Sequence, residues 1–384
     1  MQAFPMQSKT MFRKPHYDTL RQEAGFRWYV GSTYLALLEI TGIPIKEFNL
    51  HPKACIEAYR KGRPLIRELC GEDVGLPPVS TPAISYGHPN GLGSELTFPE
   101  GGEVAHEHIY ASLREGIRAL KEPVDFARAG MAPFYLDFRR KLQEAFPDEP
   151  VGFSYGLEGP ITTAYELRGE GFFFDLMDEP VLVKEFFGLL TDSILEFHKF
   201  RCKVLHQPHI NPEQGSLYDD IASMVSPAMF SEYVVPYWEQ YFRGITRGKR
   251  HAHVEDLRPD QLTFLENIAL SSYDPSISPK INPEIIAERC RVPFGWRLGN
   301  FHYPNMTCAD IRDFVFKAVE DGATYVFTYV SSTMTNAKTI EKVHAFIQAA
   351  KESERMLDEG MSREEIGGCV SSEGRAKFWD HWPE

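Results

Sequence analysis

From about residue 145 to residue 355 the chain alternates, segment by segment, between short β-rich runs and longer amphipathic ones. Strands are read at "EPVGFSYG", "GSLYDD", "KRHAHVE", "IALSSYD", "PFGWRLGN" and "TYVFTYV". Helices stand between them. "PVLVKEFFGLLTDSILEFHKFRCKVL" places Leu182, Phe186, Leu189 and Leu190 on one face, and "SPAMFSEYVVPYWEQYFRGI" opens with Ser226 as N-cap and Pro227 at the first helical position. "PDQLTFLEN", "NPEIIAERC", "TCADIRDFVFKAVEDG" and "TIEKVHAFIQAAKESERML" complete the series. Strands that alternate with helices pair in parallel through crossover connections. Six such strands, with more chain before them, predict an α/β fold of the closed (β/α)8 TIM-barrel type rather than an open sheet.

The first 145 residues are less regular. They hold a helix, "NLHPKACIEAYRKGRPLIRELC", and a hairpin around "SELTFPEGGEVAHEHI" that turns at Pro99 to Gly102. The first two barrel strands must lie here, without a signature that places them. The expected organisation is an N-terminal extension over 1–50, a barrel over 51–355 and a C-terminal tail over 356–384. Phe378, Trp379 and Trp382 of that tail can pack on their own subunit or on a neighbour in a homodimer.

A net charge of −13 and the lack of a long Lys/Arg stripe exclude nucleic acid as a partner. No apolar run approaches the roughly 20 residues of a membrane helix, and the N-terminus is a poor signal peptide. The six cysteines are scattered, with no C-x-x-C pair, which predicts a reducing cytoplasm and neither a disulfide framework nor a zinc finger. There is no P-loop, no dinucleotide-binding glycine fingerprint and no G-x-S-x-G elbow.

Chemistry in such barrels sits at the C-terminal ends of the strands. Those ends read Tyr155, Asp219, Asp220, His251, His253, Asp274, Asn300, His302 and the run Ser331, Ser332, Thr333. Strand residues i and i+2 share a face, so the imidazoles of "HAH" point the same way. With His302, they offer three nitrogens that suit zinc as a Lewis acid. The same histidines also read as proton carriers or hydrogen-bond donors, or as a structural pair. Of the adjacent Asp219 and Asp220, one is expected to face the mouth and the other to cap a turn. A second H-x-H, His106 and His108, falls in the hairpin and reads as solvated.

The order of segments resembles the uroporphyrinogen decarboxylase superfamily over about residues 50–352. That group includes the decarboxylase, zinc-dependent cobamide:coenzyme M methyltransferases and corrinoid-linked demethylases. The resemblance is carried by "LGSELTFPEGGEV", "GPITTAYELRG", "FFFDLMDEPVLVKEFF", "DDIASMVSPAMFSEYVVPYWEQYF", "RHAHVEDLRP", "ALSSYDPSISPKINPEIIAERC", "LGNFHYPNMTCADIRDFV" and "TIEKVHAFIQAAK". It implies a (β/α)8 barrel. His251 stands where the zinc methyltransferases carry the histidine of H-x-C. His253 replaces their first cysteine, and Ser331 or Ser332 their second, so the thiolate pair is missing. The decarboxylase's arginine motif is matched only by "LRQEAGFRWY", with Glu23 inserted.

The resemblance implies removal of a methyl group from a small methoxy, methylamino or methylthio compound, with transfer to a corrinoid protein, tetrahydrofolate or a thiol. Asp219, His251 and Tyr155 are the expected catalytic groups. Asn300, Tyr165, Arg297 and Ser332 are expected to bind substrate, and His251, His253 and His302 to hold a metal, zinc first. No corrinoid-binding motif lies in the chain, so a corrinoid would arrive on a partner protein. One alternative is a decarboxylase of a small or tetrapyrrole acid, whose carboxylates would meet Arg21, Arg168 or Arg297. The other is a non-catalytic tetrapyrrole- or corrinoid-binding barrel.

Overall fold

The computed structural model describes residues 14–379. Its strands are β1 (Arg27–Ser32), β2 (Leu96–Thr97), β3 (Ala105–His106), β4 (Gln214–Tyr218), β5 (Lys249–His253), β6 (Ser272–Asp274), β7 (Gly295–Leu298) and β8 (Tyr325–Val330). β1, β8 and β7 form one parallel sheet, and β4, β5 and β6 another. β2 and β3 form the antiparallel hairpin expected around Pro99 to Gly102. Isolated parallel bridges continue the pairing: Gly31 with Gly75, Ser80 with Gly152, Ile84 with Tyr155, and Tyr273 with Phe294. The fold is α/β, with parallel strands and helices between them. Among the described residues no helix is long and apolar enough to cross a membrane.

β1 lies inside the expected N-terminal extension, yet all six of its residues pair with β8. Its sequence, "RWYVGS", is short and is followed by two brief helices, so no long amphipathic partner marked it as a strand of the parallel sheet. Residues 74–84 bridge β1 on one side and residues 152–155 on the other.

The crossover helices form where the pattern placed them. Pro180–Leu205 buries Val183, Phe186, Phe187, Leu190, Ile194 and Phe197 at three- and four-residue spacing. Cys308–Glu320 starts from a Thr307/Asp310 capping box, and Asn282 accepts from Ile285 N–H to cap Pro283–Arg289. Two segments differ from expectation. "PDQLTFLEN" is helical only over Pro259–Leu262. The helix after Ser226 breaks at Val234 into Pro227–Tyr233 and Val235–Ile245, because the Pro236 ring cannot continue a helix through its preceding turn. Ser226 takes the N-cap position without a side-chain cap bond, and Pro227 follows it.

In β5, Arg250 and Ala252 are buried while His251 and His253 are half-buried. Arg250 pairs with Glu239 of the preceding helix, Val235–Ile245, and lies over the Phe242 ring. The even positions therefore face the helix layer, and both histidines face the opposite side.

The tail packs on its own subunit. Phe378 and Trp379 are buried. Trp379 meets Trp296 and Phe314 edge-on, and its Nε1 donates to Asp321 Oδ2 at 2.6 Å. Trp382 lies outside the described residues. Trp379→Ala is expected to cost about 3–5 kcal/mol of unfolding free energy in denaturant titration, the usual loss for a buried indole.

Candidate functional site

The best-organised polar cluster surrounds His253 at the C-terminal end of β5. Register places Tyr218 of β4 and Asp274 of β6 on either side of it. His253 Nδ1 is 2.8 Å from Asp274 Oδ2, while Asp274 Oδ1 accepts from Ser276 N–H at 2.7 Å. Asp274 is thereby pinned, and it fixes the ring. His253 Nε2 lies 3.9 Å from Asp220 Oδ1 and 3.7 Å from Glu255 Oε1. Burial alone would lower the imidazole's pKa. The Asp274 hydrogen bond and the charges of Asp274, Asp220 and Glu255 outweigh it, and the pKa is raised to about 9. His253 is a cation at neutral pH.

The loops that follow β5 and β6 hold this cluster together. Glu255 N–H donates to Asp220 Oδ1 at 2.8 Å, and Ser278 Oγ donates to Asp256 Oδ1 at 3.2 Å. Asp256 and Ser276 have φ of 58° and 50°, the left-handed region that non-glycine residues rarely adopt. Arg297 of β7 donates from Nη1 to Ser276 Oγ at 3.1 Å and lies 5.3 Å from the Tyr329 ring centroid. Glu158, on the loop after residues 152–155, has its pKa raised to about 8, chiefly by burial and then by Asp220 and Asp219, against a Ser85 hydrogen bond and the His253 charge. The site therefore holds a carboxylic acid and an imidazolium that both carry protons at neutral pH.

The expected residues do not all meet here. Asp219 is fully buried. It accepts from Ile161 N–H, from Thr162 N–H and from Trp238 Nε1, at 3.3, 2.6 and 2.5 Å. It caps the helix Pro160–Arg168, whose N-cap Gly159 has no side chain to do so. A Cβ on Gly159 would lie 2.5 Å from Asp219 Cγ, so the close approach requires glycine. Burial raises the Asp219 pKa to about 6 against those hydrogen bonds. The aspartate facing His253 is Asp220. Tyr155 is also fully buried, stacked on Tyr135 with its hydroxyl donating to Asn90 Oδ1 at 2.5 Å.

His251 sits one pleat deeper than His253. It lines a cavity of about 380 Å³ with Arg27, Lys249, Ser272 and Tyr325, where β5 and β8 begin. Burial and then Lys249 lower its pKa. His302 is buried beside Phe301, with ring centroids 4.1 Å apart, and burial lowers its pKa to about 4. Among the described residues no three His, Cys, Asp or Glu side chains are arranged to hold a metal ion. The three imidazoles are not gathered into one zinc ligand set: His253 stands in the carboxylate cluster, His251 lines the cavity near the start of β5, and His302 packs against Phe301.

Of the substrate-binding set, Arg297 reaches the cluster. Asn300 begins a 3₁₀ turn after β7, and Ser332 lies just beyond β8. Tyr165 stands on the helix Pro160–Arg168 with its ring 5.6 Å from that of His108, which touches His106 in turn. His106 also packs on Tyr86 at 4.1 Å. His106 is thus half-buried, whereas His108 is exposed, as expected for the hairpin. Arg21 donates to Cys290 O and Arg291 O, and Arg168 pairs with Asp175, so neither arginine belongs to the His253 cluster. Asp220 and Asp274 were legible as strand-end acids. Glu158 had only its place ahead of Gly159-Pro160 to mark it.

The uroporphyrinogen decarboxylase (URO-D) family model matches residues 81–353. The chain belongs to the uroporphyrinogen decarboxylase family. No curated protein matches it. Among solved structures, it is similar to a methyltransferase from Methanosarcina mazei, with a TM-score of 0.63 and 18% identity over 88% of this chain and 97% of that one. At that identity the likeness concerns the fold. Within the family's span, the His253 cluster occupies the ends of β5, β6 and β7.

Proposed function

We propose that this member of the uroporphyrinogen decarboxylase family is a methyl-transfer enzyme built on a (β/α)8 barrel. It removes the methyl group of a small methoxy, methylamino or methylthio compound. The observation that carries the reading is His253, held by Asp274 and kept protonated among Asp220 and Glu255. When the methyl–heteroatom bond breaks, its electron pair stays on the heteroatom, and His253 donates the proton that neutralises it. Asp274 orients the ring and stabilises its charged form, and Glu158 can restore the proton. The methyl group passes to a thiol, to tetrahydrofolate or to a reduced corrinoid carried by a partner protein. The similar fold of the Methanosarcina mazei methyltransferase supports this choice within the family.

A second reading draws on Arg297, whose Nε has no hydrogen-bond partner among the described residues. That cation could hold a substrate carboxylate beside one that leaves as carbon dioxide, with His253 protonating the resulting carbanion. The acid-rich surroundings of His253 favour a small substrate over a polycarboxylate tetrapyrrole.

The test mixes the full chain with methoxylated, methylamino and methylthio donors and a reduced corrinoid protein, and follows methyl–cobalt formation optically. Methylation with one donor class is expected. Carbon dioxide release from small acids without any methylation would replace the first reading with the second. Neither product would leave a binding protein.

A further inference from the structure

The wall between residues 152–155 and β4 is loosely paired, and an arginine fills the gap. Gly159 N–H to Tyr218 O, at 2.6 Å, ties the two segments at their upper end. Lower down, Phe153 O accepts from Arg201 Nη2 at 3.1 Å, a carbonyl that an adjacent strand would normally pair. Arg201 comes from the helix Pro180–Leu205. It opens on a cavity of about 180 Å³ beside β4, shared with His198, Cys202, Gln214, Tyr218 and Tyr241.

The charge balance of this cavity is one-sided. No Asp or Glu is among its described lining residues. Arg201 Nε is buried and has no hydrogen-bond partner among the described residues. The groups whose charge bears on Arg201 are Tyr241, Cys202 and Tyr218, none of them a carboxylate. An inward-facing guanidinium without a counter-ion is costly, and its planar fork matches the geometry of an oxyanion.

We infer that this cavity binds a small oxyanion, the phosphate or carboxylate group of a metabolite, with Arg201 as its principal partner. The cavity has room for such a group, and Gln214 and Tyr218, whose side chains can donate hydrogen bonds, are among its lining residues. Tyr218 also lies 5.9 Å from the His253 ring. The anion site thus shares a wall with the His253 cluster without being part of it.

Isothermal titration of the full chain with inorganic phosphate, and separately with acetate, tests the site. One saturable anion per chain is expected, and the tighter of the two identifies the group. Arg201→Met should raise the dissociation constant about tenfold or more, the loss of a charge-assisted hydrogen-bond pair. Gln214→Glu gives a second variant that leaves Arg201 in place. Its carboxylate should satisfy the guanidinium and abolish anion binding. His253→Gln should leave anion binding intact even where it stops methyl transfer. No saturable binding of either anion would overturn the inference. So would unchanged affinity in the Arg201 and Gln214 variants, or loss of binding in His253→Gln.

Discussion

His253→Gln is expected to slow turnover on the order of 10²–10⁴-fold, the range that positioned proton donors contribute. Glutamine keeps a hydrogen-bonding side chain but carries no transferable proton. Asp274→Asn should produce a smaller loss, because the ring remains but its orientation and charge lose support. The pH profile separates this role from a packing role. His253 must be protonated to act and has a pKa of about 9, so wild-type rates should hold through neutral pH and fall above about 9. The fall should disappear from the residual rate of His253→Gln. Stability follows the same proton. The folded-state pKa lies above the ordinary 6.5, so the stabilisation is complete below pH 6.5 and is lost as pH rises through about 9. Melting temperatures of wild type and His253→Gln, measured across that interval, should converge at its alkaline end. Melting curves that stay parallel, with a wild-type rate flat past pH 10, would remove His253 as the proton donor.

The second large effect is one of stability. Asp219→Ala leaves the N–H groups of Ile161 and Thr162 and the indole N–H of Trp238 without their acceptor in a fully buried place. Loss of a buried, multiply bonded carboxylate is expected to cost about 3–5 kcal/mol. Denaturant titration reads this directly. Turnover per folded molecule should fall far less than in His253→Gln, since Asp219 holds a helix end rather than a reacting proton. Asp219→Asn, which keeps one carbonyl acceptor, should recover part of the stability. An Asp219→Ala protein as stable as wild type but without activity would return Asp219 to the catalytic set.

What could be read without coordinates was whatever depends on neighbours along the chain. The alternation of apolar runs reports strands and crossover helices because burial on a sheet has period two and burial on a helix about 3.6. Pro180–Leu205, β5, β7, β8 and the β2–β3 hairpin therefore stand where the sequence placed them. The common orientation of His251 and His253 was legible for the same reason. Their separation in depth was not. Two residues of strand advance roughly 6.6 Å, enough to put one imidazole at the carboxylate cluster and the other over the cavity near the strand's start.

The choice between Asp219 and Asp220 was equally closed to local reasoning. It depends on where the helix Pro160–Arg168 starts, nearly sixty residues earlier, and on Trp238 reaching the same carboxylate. Where a strand end was expected, Tyr155 makes only an isolated parallel bridge with Ile84, and the Tyr135 ring packs over it. β1 was hidden because its pairing partner, β8, lies about 300 residues away. The sequence by itself determined the order of elements and the supply of acids and imidazoles. Only the tertiary structure decided which of them meet, because a pKa near 9 for His253 arises from carboxylates on separate strand ends, and their convergence is a property of the folded sheet.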